Sequence, residues 1–371
     1  MARYRSARDI DWTLAALALV LCGLGILQIF SATRESAFAY AWWKQILWVG
    51  LGLVAMWIFA SIDYHHLLDR VPLLYGISLA TLVAVLLFGT QIFGSRRWIP
   101  VYGGLRLQVS EFVKLVIILL VARCLAELRR DRIEVRDLAR LLGLVALPMA
   151  LVIKQPDLGT SFTYAAILCT GLFVAGLSWR YWVAGVVLAV VLLPAAWTHL
   201  KEYQKERINA FVNPGRDPRG AGYQVIQSKI AIGSGGLWGR GYLRGTQAQL
   251  SFLPEKHTDF AFTMLAEETG FVGALAVLAL ILAITLAGMA VALRAQSHFA
   301  RLLAAGVTCN FALYAIINVA MVTGLIPVVG VPLPLVSYGG TAMLTVMLGV
   351  GLLLNAQVNS ETPIPRFPAD L

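Results

Sequence analysis

The sequence predicts an all-α polytopic membrane protein, with ten transmembrane helices and one large extracytoplasmic loop between the seventh and the eighth. Three observations carry that expectation. Hydrophobic residues fill 59% of the 371 positions and charged residues only 13%, against the roughly 25% charged of an ordinary soluble domain. The apolar residues gather into ten runs, most of them near the roughly 20 residues that a helix needs to cross the hydrocarbon core. One polar, glycine-rich stretch over 199–266 interrupts them. Polar groups are costly inside a bilayer, so that stretch is the first place to look for chemistry.

The runs fall at 12–31, 45–61, 71–93, 111–126, 141–154, 158–177, 181–198, 270–293, 302–325 and 337–355. Met1 to Ile10 is basic and polar, and no small-residue cleavage pattern follows the run that ends at Ser31, so this run reads as a retained first helix. The fifth run is short, because Lys154-Gln155-Pro156-Asp157 closes it. Snorkelling of Arg140, or a turn at Pro156 dipping below the membrane surface, would accommodate it. Cys22, Cys124, Cys169 and Cys309 lie in or beside apolar runs and suit small core side chains better than disulfides or a metal site. There is no internal repeat, so the chain reads as a single integral membrane domain over 1–371. Its tail from Gln357 to Leu371, with three prolines, reads as a short disordered cytoplasmic end.

Lys and Arg in short loops set the orientation. With both termini in the cytoplasm, the short outer loops hold only Arg34, Lys44, Arg96, Arg97, Arg106 and Lys154. The strongest basic anchor, Arg129, Arg130, Arg132, Arg136 and Arg140, then lies inside. The long loop goes outside with nine Lys or Arg residues. Loops above about 60 residues translocate largely regardless of charge, and a basic outer surface suits an anionic ligand. The net charge of +10 comes with no nucleic-acid motif, and topology and anionic headgroups explain it, so nucleic acid is excluded as a partner.

Several constellations could carry chemistry. In the long loop, Asn213 to Gly222 is turn-rich, Tyr223 to Ile232 is apolar enough for a short interfacial helix, and Gly233 to Gly241 is glycine-rich. Such glycines either make turns or let backbone N–H groups hold phosphate oxygens; no phosphate-loop pattern is present, which favours turns. Asp259, just before the eighth run, could serve as a general base for a hydroxyl. Its ordinary reading is a helix cap, shared with Thr258. The adjacent Lys256 and His257 complete neither a metal site nor a nucleophile–base pair. Glu111 and Lys114 share one face of the fourth run, as a structural ion pair or as part of a site. Asp157 sits at the next outer junction, and Arg97 and Trp98 add a cation and an aromatic that could equally anchor to headgroups. Ile326 to Gly340 is apolar but broken by three prolines and several glycines. It reads as a re-entrant segment, with Ser337 in it, forming the floor of a cavity.

These residues, in this order, resemble the SEDS proteins (shape, elongation, division and sporulation), and most closely their rod-shape, RodA branch. The resemblance rests on Asp11-Trp12, Gly94 to Ile99, Ser110-Glu-Phe-Val-Lys114, Gln155 to Thr160, Gly215 to Lys229, Phe252 to Phe260, Glu267-Glu268 with Gly270, and Pro332 to Gly340. It covers nearly the whole chain. Gly-Arg-Asp-Pro at 215–218 and Arg244-Gly-Thr-Gln247 favour the elongation branch over the division branch. Val109 stands where the family usually has proline, Thr341 replaces a common serine, and Thr269 replaces a usual leucine.

The resemblance implies the SEDS fold in the bacterial cytoplasmic (inner) membrane. The implied activity is a peptidoglycan glycosyltransferase that polymerises lipid II into β-1,4 glycan strands on the outer face during elongation, releasing undecaprenyl pyrophosphate. The implied partners are a class B penicillin-binding protein of the PBP2 transpeptidase type and other membrane proteins of the elongation complex. Matched onto this chain, Asp259 becomes the general base. Arg97, Arg207, Arg216, Lys229 and Arg240 become candidates for pyrophosphate contacts, and Trp98, Glu111, Lys114, Asp157, Lys256, His257 and Ser337 candidates for the cavity. No cofactor is required. A divalent cation, Mg2+ or Mn2+, would suit pyrophosphate chemistry, but no ligand cluster demands one. Two other classes fit the span pattern: a lipid II flippase or transporter, and a non-catalytic scaffold of the wall-synthesis complex.

Overall fold

A computed structural model of the chain describes residues 12–34, 36, 38–62, 64–92, 95–100, 106–128, 133–200, 202–213, 215, 220–246, 253 and 256–359. Arg216, the anchor residues Arg129, Arg130 and Arg132, most of Phe252 to Glu255, and both chain ends lie outside the described residues.

Each predicted run coincides with a helix. The helices are α1 (Trp12–Thr33), α2 (Ala41–Ser61), α3 (Tyr64–Phe88), α4 (Val109–Ala126), α5 (Val135–Lys154), α6 (Leu158–Val174) and α7 (Trp179–His199), then α10 (Ala261–Arg294), α11 (His298–Val322) and α12 (Gly340–Val358). The long loop contributes α8 (Glu202–Val212) and α9 (Ala221–Ser234). By length and composition α1, α2, α3, α10, α11 and α12 are able to cross a membrane, and α6 and α7 are shorter apolar helices. The charges Glu111, Lys114 and Arg123 in α4, and Arg136, Asp137, Arg140 and Lys154 in α5, set those two apart.

The all-α expectation needs one correction. A three-stranded antiparallel sheet joins α3 to α4: β1 (Thr90–Ile92), β2 (Ser95–Pro100) and β3 (Arg106–Gln108). The predicted third run continued to residue 93, but α3 ends at Phe88 and the chain turns back on itself. Hairpin pairing satisfies backbone groups that an irregular loop would leave open. The fifth run is longer than it looked: α5 starts at Val135, behind a reciprocal cap in which Glu134 and Asp137 each accept from the other's end of the turn. Among the cysteines, all free, Cys22 is buried but Cys169 lies on an exposed helix face rather than in the core.

Large apolar side chains are exposed along many helices, most completely on α7, where Val183, Val186, Val187, Leu188, Val190, Val191 and Leu192 all face outward. Lipid is the solvent that suits such a surface. The core lies around α4, which packs against α3, α6, α11 and α12. Association inside a bilayer depends on close packing rather than on a hydrophobic drive, and small residues permit it. A Cβ on Gly351 would meet the Met56 main chain at 2.6 Å, which is how α12 and α2 come together.

α10 takes in 34 residues. It is broken at Gly270, whose φ of 69° and ψ of −167° are not helical. The arm before the break is buried throughout 261–268 and leads back to Asp259.

Candidate functional site

The segment between α11 and α12 is non-helical yet largely inside the protein, with Val328, Val331, Leu333, Leu335, Val336 and Ser337 all buried. Irregular backbone survives at such depth only where protein encloses it. Here α1 encloses it, a Cβ on Gly25 falling 2.7 Å from the Leu335 carbonyl oxygen. So does α6, a Cβ on Gly159 falling 3.2 Å from the Val329 carbonyl oxygen. Gln45 of α2, fully buried, donates to Ser337 O at 3.2 Å and accepts from Gly339 N at 3.4 Å. Within the segment, Leu333 N donates to Ser337 Oγ at 2.9 Å, closing the turn. The re-entrant expectation therefore matches the observed backbone.

Asp259 meets this segment from the long loop. Helix α10 begins at Ala261 with Phe260 at its cap position, one residue past Asp259. The half-buried Asp259 carboxylate lies instead against Gly330: a Cβ there would sit 3.3 Å from Asp259 Oδ2. Asn318 of α11 donates through Nδ2 to Asp259 O at 2.9 Å and to Val331 O at 2.7 Å. Beside Asp259, the His257 ring lies tilted against those of Phe38 (4.8 Å, 32°) and Tyr338 (5.5 Å, 43°), and its carbonyl accepts from Tyr338 N at 2.8 Å. Lys256 and His257 are both buried, so this turn is built into the protein rather than laid on its surface.

Two of the predicted cations reach the same segment. Arg207 of α8 donates through Nη1 to Val328 O at 3.1 Å. Lys229 of α9 packs its side chain against Gly324, which has a φ of 72°. Both residues remain exposed. The helix expected at 223–232 is present as α9, though it docks on α10 and α11 rather than lying free at an interface. Ser228 is fully buried there, hydrogen-bonded with Thr263 Oγ1 and donating to Val322 O, each at 2.7 Å.

On the inner side, Pro332 to Leu335 and Ser337 line a cavity of about 20 Å³ with Glu111, Lys114, Asn310, Tyr314 and Thr345. That is room for about one water molecule. Lys114 Nζ donates to Glu111 Oε2 at 2.7 Å and to the Tyr314 hydroxyl, which in turn donates to Glu111 Oε1 at 3.1 Å. All three side chains are buried. A buried pair closed by a third partner in this way is neutral overall, with two of the three lysine N–H donors placed on Glu111 and Tyr314.

Asp157 is the N-cap of α6. Its carboxylate accepts from Thr160 N at 3.2 Å, Thr160 Oγ1 at 2.9 Å and Gln108 Nε2 at 2.8 Å, with Arg97 at 3.6 Å. Arg97 thus belongs to a capped junction between β2 and α6. Its neighbour Trp98, half-buried, pairs with Gln108 across the sheet.

Arg240 lies elsewhere. Its guanidinium donates to Thr246 Oγ1 at 2.9 Å and its main-chain N–H to Glu267 O at 3.0 Å. Gly241 N donates to Glu268 O at 3.0 Å, and Phe271 N to Gly236 O at 2.9 Å. The glycine-rich stretch is therefore a backbone splint across the break at Gly270, which answers the choice between turns and an anion cradle in favour of turns and close approach. Beneath it, fully buried Glu267 accepts from Thr246 N at 2.8 Å and Thr246 Oγ1 at 2.9 Å, and Glu268 accepts from Ser31 of α1. Tyr242 donates to Leu27 O at 2.9 Å, and burial, with the Glu268 carboxylate second, raises its phenol above the ordinary value and keeps it a donor.

Reading the sequence did not single out Asn318, Gln45, Tyr314 or Gln108. For Asn318, Gln45 and Tyr314, polar residues inside apolar runs were the available signal; Gln108 lies between runs and carried none. Among the described residues, no group of three or more His, Cys, Asp and Glu side chains is placed to hold a metal ion, so no chemical step is derived through one.

The fold and this site define a class: a multi-pass membrane protein whose long loop between α7 and α10 brings an acid and cations to a buried non-helical segment. The chain belongs to the FtsW, RodA and SpoVE family, described as cell cycle proteins, whose sequence model matches residues 11–362. The expected SEDS membership is thereby borne out. The chain is 42% identical over 355 residues to the peptidoglycan glycosyltransferase MrdB of Escherichia coli K12, covering 95% of this chain and 94% of that one. It is 32% identical to the peptidoglycan glycosyltransferase RodA of Treponema pallidum, with 95% and 98% covered. Among solved structures, it is similar to a chain of a peptidoglycan synthase complex that coordinates polymerization and crosslinking, at a TM-score of 0.82 and 33% identity over 95% and 98% of the two chains. It is also similar to the rod shape determining protein RodA of Thermus thermophilus, at a TM-score of 0.72 and 27% identity over 95% and 98%.

Proposed function

We propose that this chain is a peptidoglycan glycosyltransferase of cell elongation that polymerises lipid II, with Asp259 as its general base. The observation that carries the reading is the placement of the half-buried Asp259 carboxylate against Gly330 of the re-entrant segment, to which Arg207 also attaches, with Lys229 against Gly324 just before it. The names of the relatives supply the reaction class.

The chemistry asks for two things. The C4 hydroxyl of the acceptor N-acetylglucosamine must lose its proton as its oxygen bonds to C1 of the donor N-acetylmuramic acid. The bond from C1 to the pyrophosphate oxygen must break, its electron pair leaving with undecaprenyl pyrophosphate. Asp259 takes the proton. Arg207 stands on the same segment and Lys229 just before it, where negative charge on the leaving group would gather, and preorganised cations stabilise such charge. Direct displacement inverts an α-linked donor to a β-1,4 product and needs no carboxylate nucleophile. Arg97, held by Asp157, and Arg240, held by Thr246, are the weaker pyrophosphate candidates.

Ten helices, including the charged α4 and α5, would cross the bacterial inner membrane with both termini in the cytoplasm and the 199–266 loop outside. The working partner would be a class B penicillin-binding protein, in keeping with the synthase complex that this chain is similar to.

The test uses purified partner-bound protein, with transpeptidation inactivated, and labelled lipid II. Wild type should give long glycan on a gel, and Asp259→Ala none visible there, with only a slow residual turnover, while still folded and bound. Equal polymer from both would remove Asp259 as the base. Absence of polymer from either, with lipid II crossing liposomes, would turn the reading to the flippase.

A further inference from the structure

Asn318 is fully buried in α11 and faces two main-chain carbonyls. Carbonyl oxygens only accept, so the amide must turn its Nδ2 toward them, and both N–H groups are used. Its Oδ1, shut off from solvent, finds no hydrogen-bond partner among the described residues. An apolar side chain of similar volume would remove the orphaned Oδ1, but it would also take the donor away from Asp259 O and Val331 O. What asparagine adds is the double donation.

The two carbonyls it joins belong to the two chain segments that meet at the site. Asp259 carries the carboxylate. Val331 follows Gly330, the residue that the carboxylate lies against. A second tie, Tyr338 N to His257 O at 2.8 Å, holds the same two segments further along.

We propose that Asn318 is a positioning residue of the transfer: its amide clamps the main chain of Asp259 to the Gly330 turn and so fixes where the base stands relative to the acceptor hydroxyl. The inference rests on Asp259 acting as the base. Near-attack geometry is sensitive to displacements of about 1 Å, on the order of 100-fold in rate. The second tie keeps the segments joined when the clamp is removed, so geometry should suffer more than folding.

The experiment measures kcat and KM for lipid II, and the melting temperature, of partner-bound Asn318→Leu, Asn318→Gln and Asp259→Ala, with Asn318→Leu also placed in the Asp259→Ala background. Asn318→Leu should lower kcat roughly 10- to 100-fold while KM stays within about twofold. Asn318→Gln, which keeps both donors on a longer stem, should recover part of the rate. In Asp259→Ala the second change should lower the residual rate no further. Unchanged kcat per folded molecule in Asn318→Leu would overturn the inference and leave the base assignment standing. Equal losses in Asn318→Leu and Asn318→Gln, tracking a fall in melting temperature, would make Asn318 structural only. Wild-type polymer from Asp259→Ala would overturn base and clamp together.

Discussion

The Gly330 α-carbon faces the Asp259 carboxylate so closely that a Cβ on it would stand 3.3 Å from Oδ2, in a backbone with φ of +74°. Residue 330 thus meets two independent limits, one from its own conformation and one from the acid beside it. The first Cβ of any side chain would have to share the space beside the carboxylate proposed as the base.

Gly330→Ala should therefore fail on both counts. The left-handed conformation costs an L-residue about 1–2 kcal/mol, and the crowded carboxylate loses its position, a displacement that reduces rates by about tenfold or more. Polymerisation of lipid II by partner-bound Gly330→Ala, set against its melting temperature, checks this: the rate should fall further than the stability.

Glu111 and Lys114 should behave as a buried pair rather than as catalysts. Removing one partner, as in Lys114→Met, leaves an uncompensated charge and should cost about 3–5 kcal/mol. Removing both, as in Glu111→Leu with Lys114→Leu, should recover much of that. Tyr314→Phe takes away one bridging hydroxyl and should cost about 1–3 kcal/mol. Thermal melting in detergent reads all of these.

The glycine splint makes a contrast between neighbours. Gly236 has φ of 55° and open space where a Cβ would go, whereas Gly239 has φ of 78° and a Cβ there would run into the Glu268 carbonyl. Gly236→Ala should cost about 1–2 kcal/mol from conformation alone, and Gly239→Ala distinctly more. Expression and melting temperature of the two variants measure the difference.

Arg207→Ala and Lys229→Ala should each lower kcat/KM for lipid II, by about tenfold or more for a group that meets leaving-group charge. Arg240→Ala, whose guanidinium is engaged within its own loop, should change kcat/KM less than either. Steady-state kinetics at one fixed salt concentration decide the ranking, because exposed charges are screened.

Much of the helix pattern was legible because apolar length is a local property. The first run, drawn at 12–31, is the helix Trp12–Thr33. Charged or polar edges hid true ends elsewhere: α3 starts at Tyr64, ahead of His65, His66, Asp69 and Arg70, and the eighth run, drawn from 270 at the break in α10, left out the preceding arm with Glu267 and Glu268. The sheet over 90–108 went unseen because strands of three to six residues in a basic stretch carry almost no periodic signal. Asp259, Glu111, Lys114 and the re-entrant segment could be picked out by charge or proline placed against apolar surroundings. Their meeting could not, since Asn318 to Asp259 and Gly159 to Val329 are contacts between distant parts of the chain. Arg240 shows the reverse case, a cation in a promising loop that the fold spends on the splint.

Asp259, in the proposed mechanism, takes the proton from the acceptor hydroxyl. The most direct measurement is the rate of undecaprenyl pyrophosphate release from lipid II by partner-bound wild type, Asp259→Asn and Asp259→Glu, with lipid II binding measured on the same samples. Asp259→Asn should bind lipid II about as wild type does and release pyrophosphate slower by about 100-fold or more. Asp259→Glu, a base set one methylene too far, should fall between them. Release by Asp259→Asn at the wild-type rate would contradict the claim.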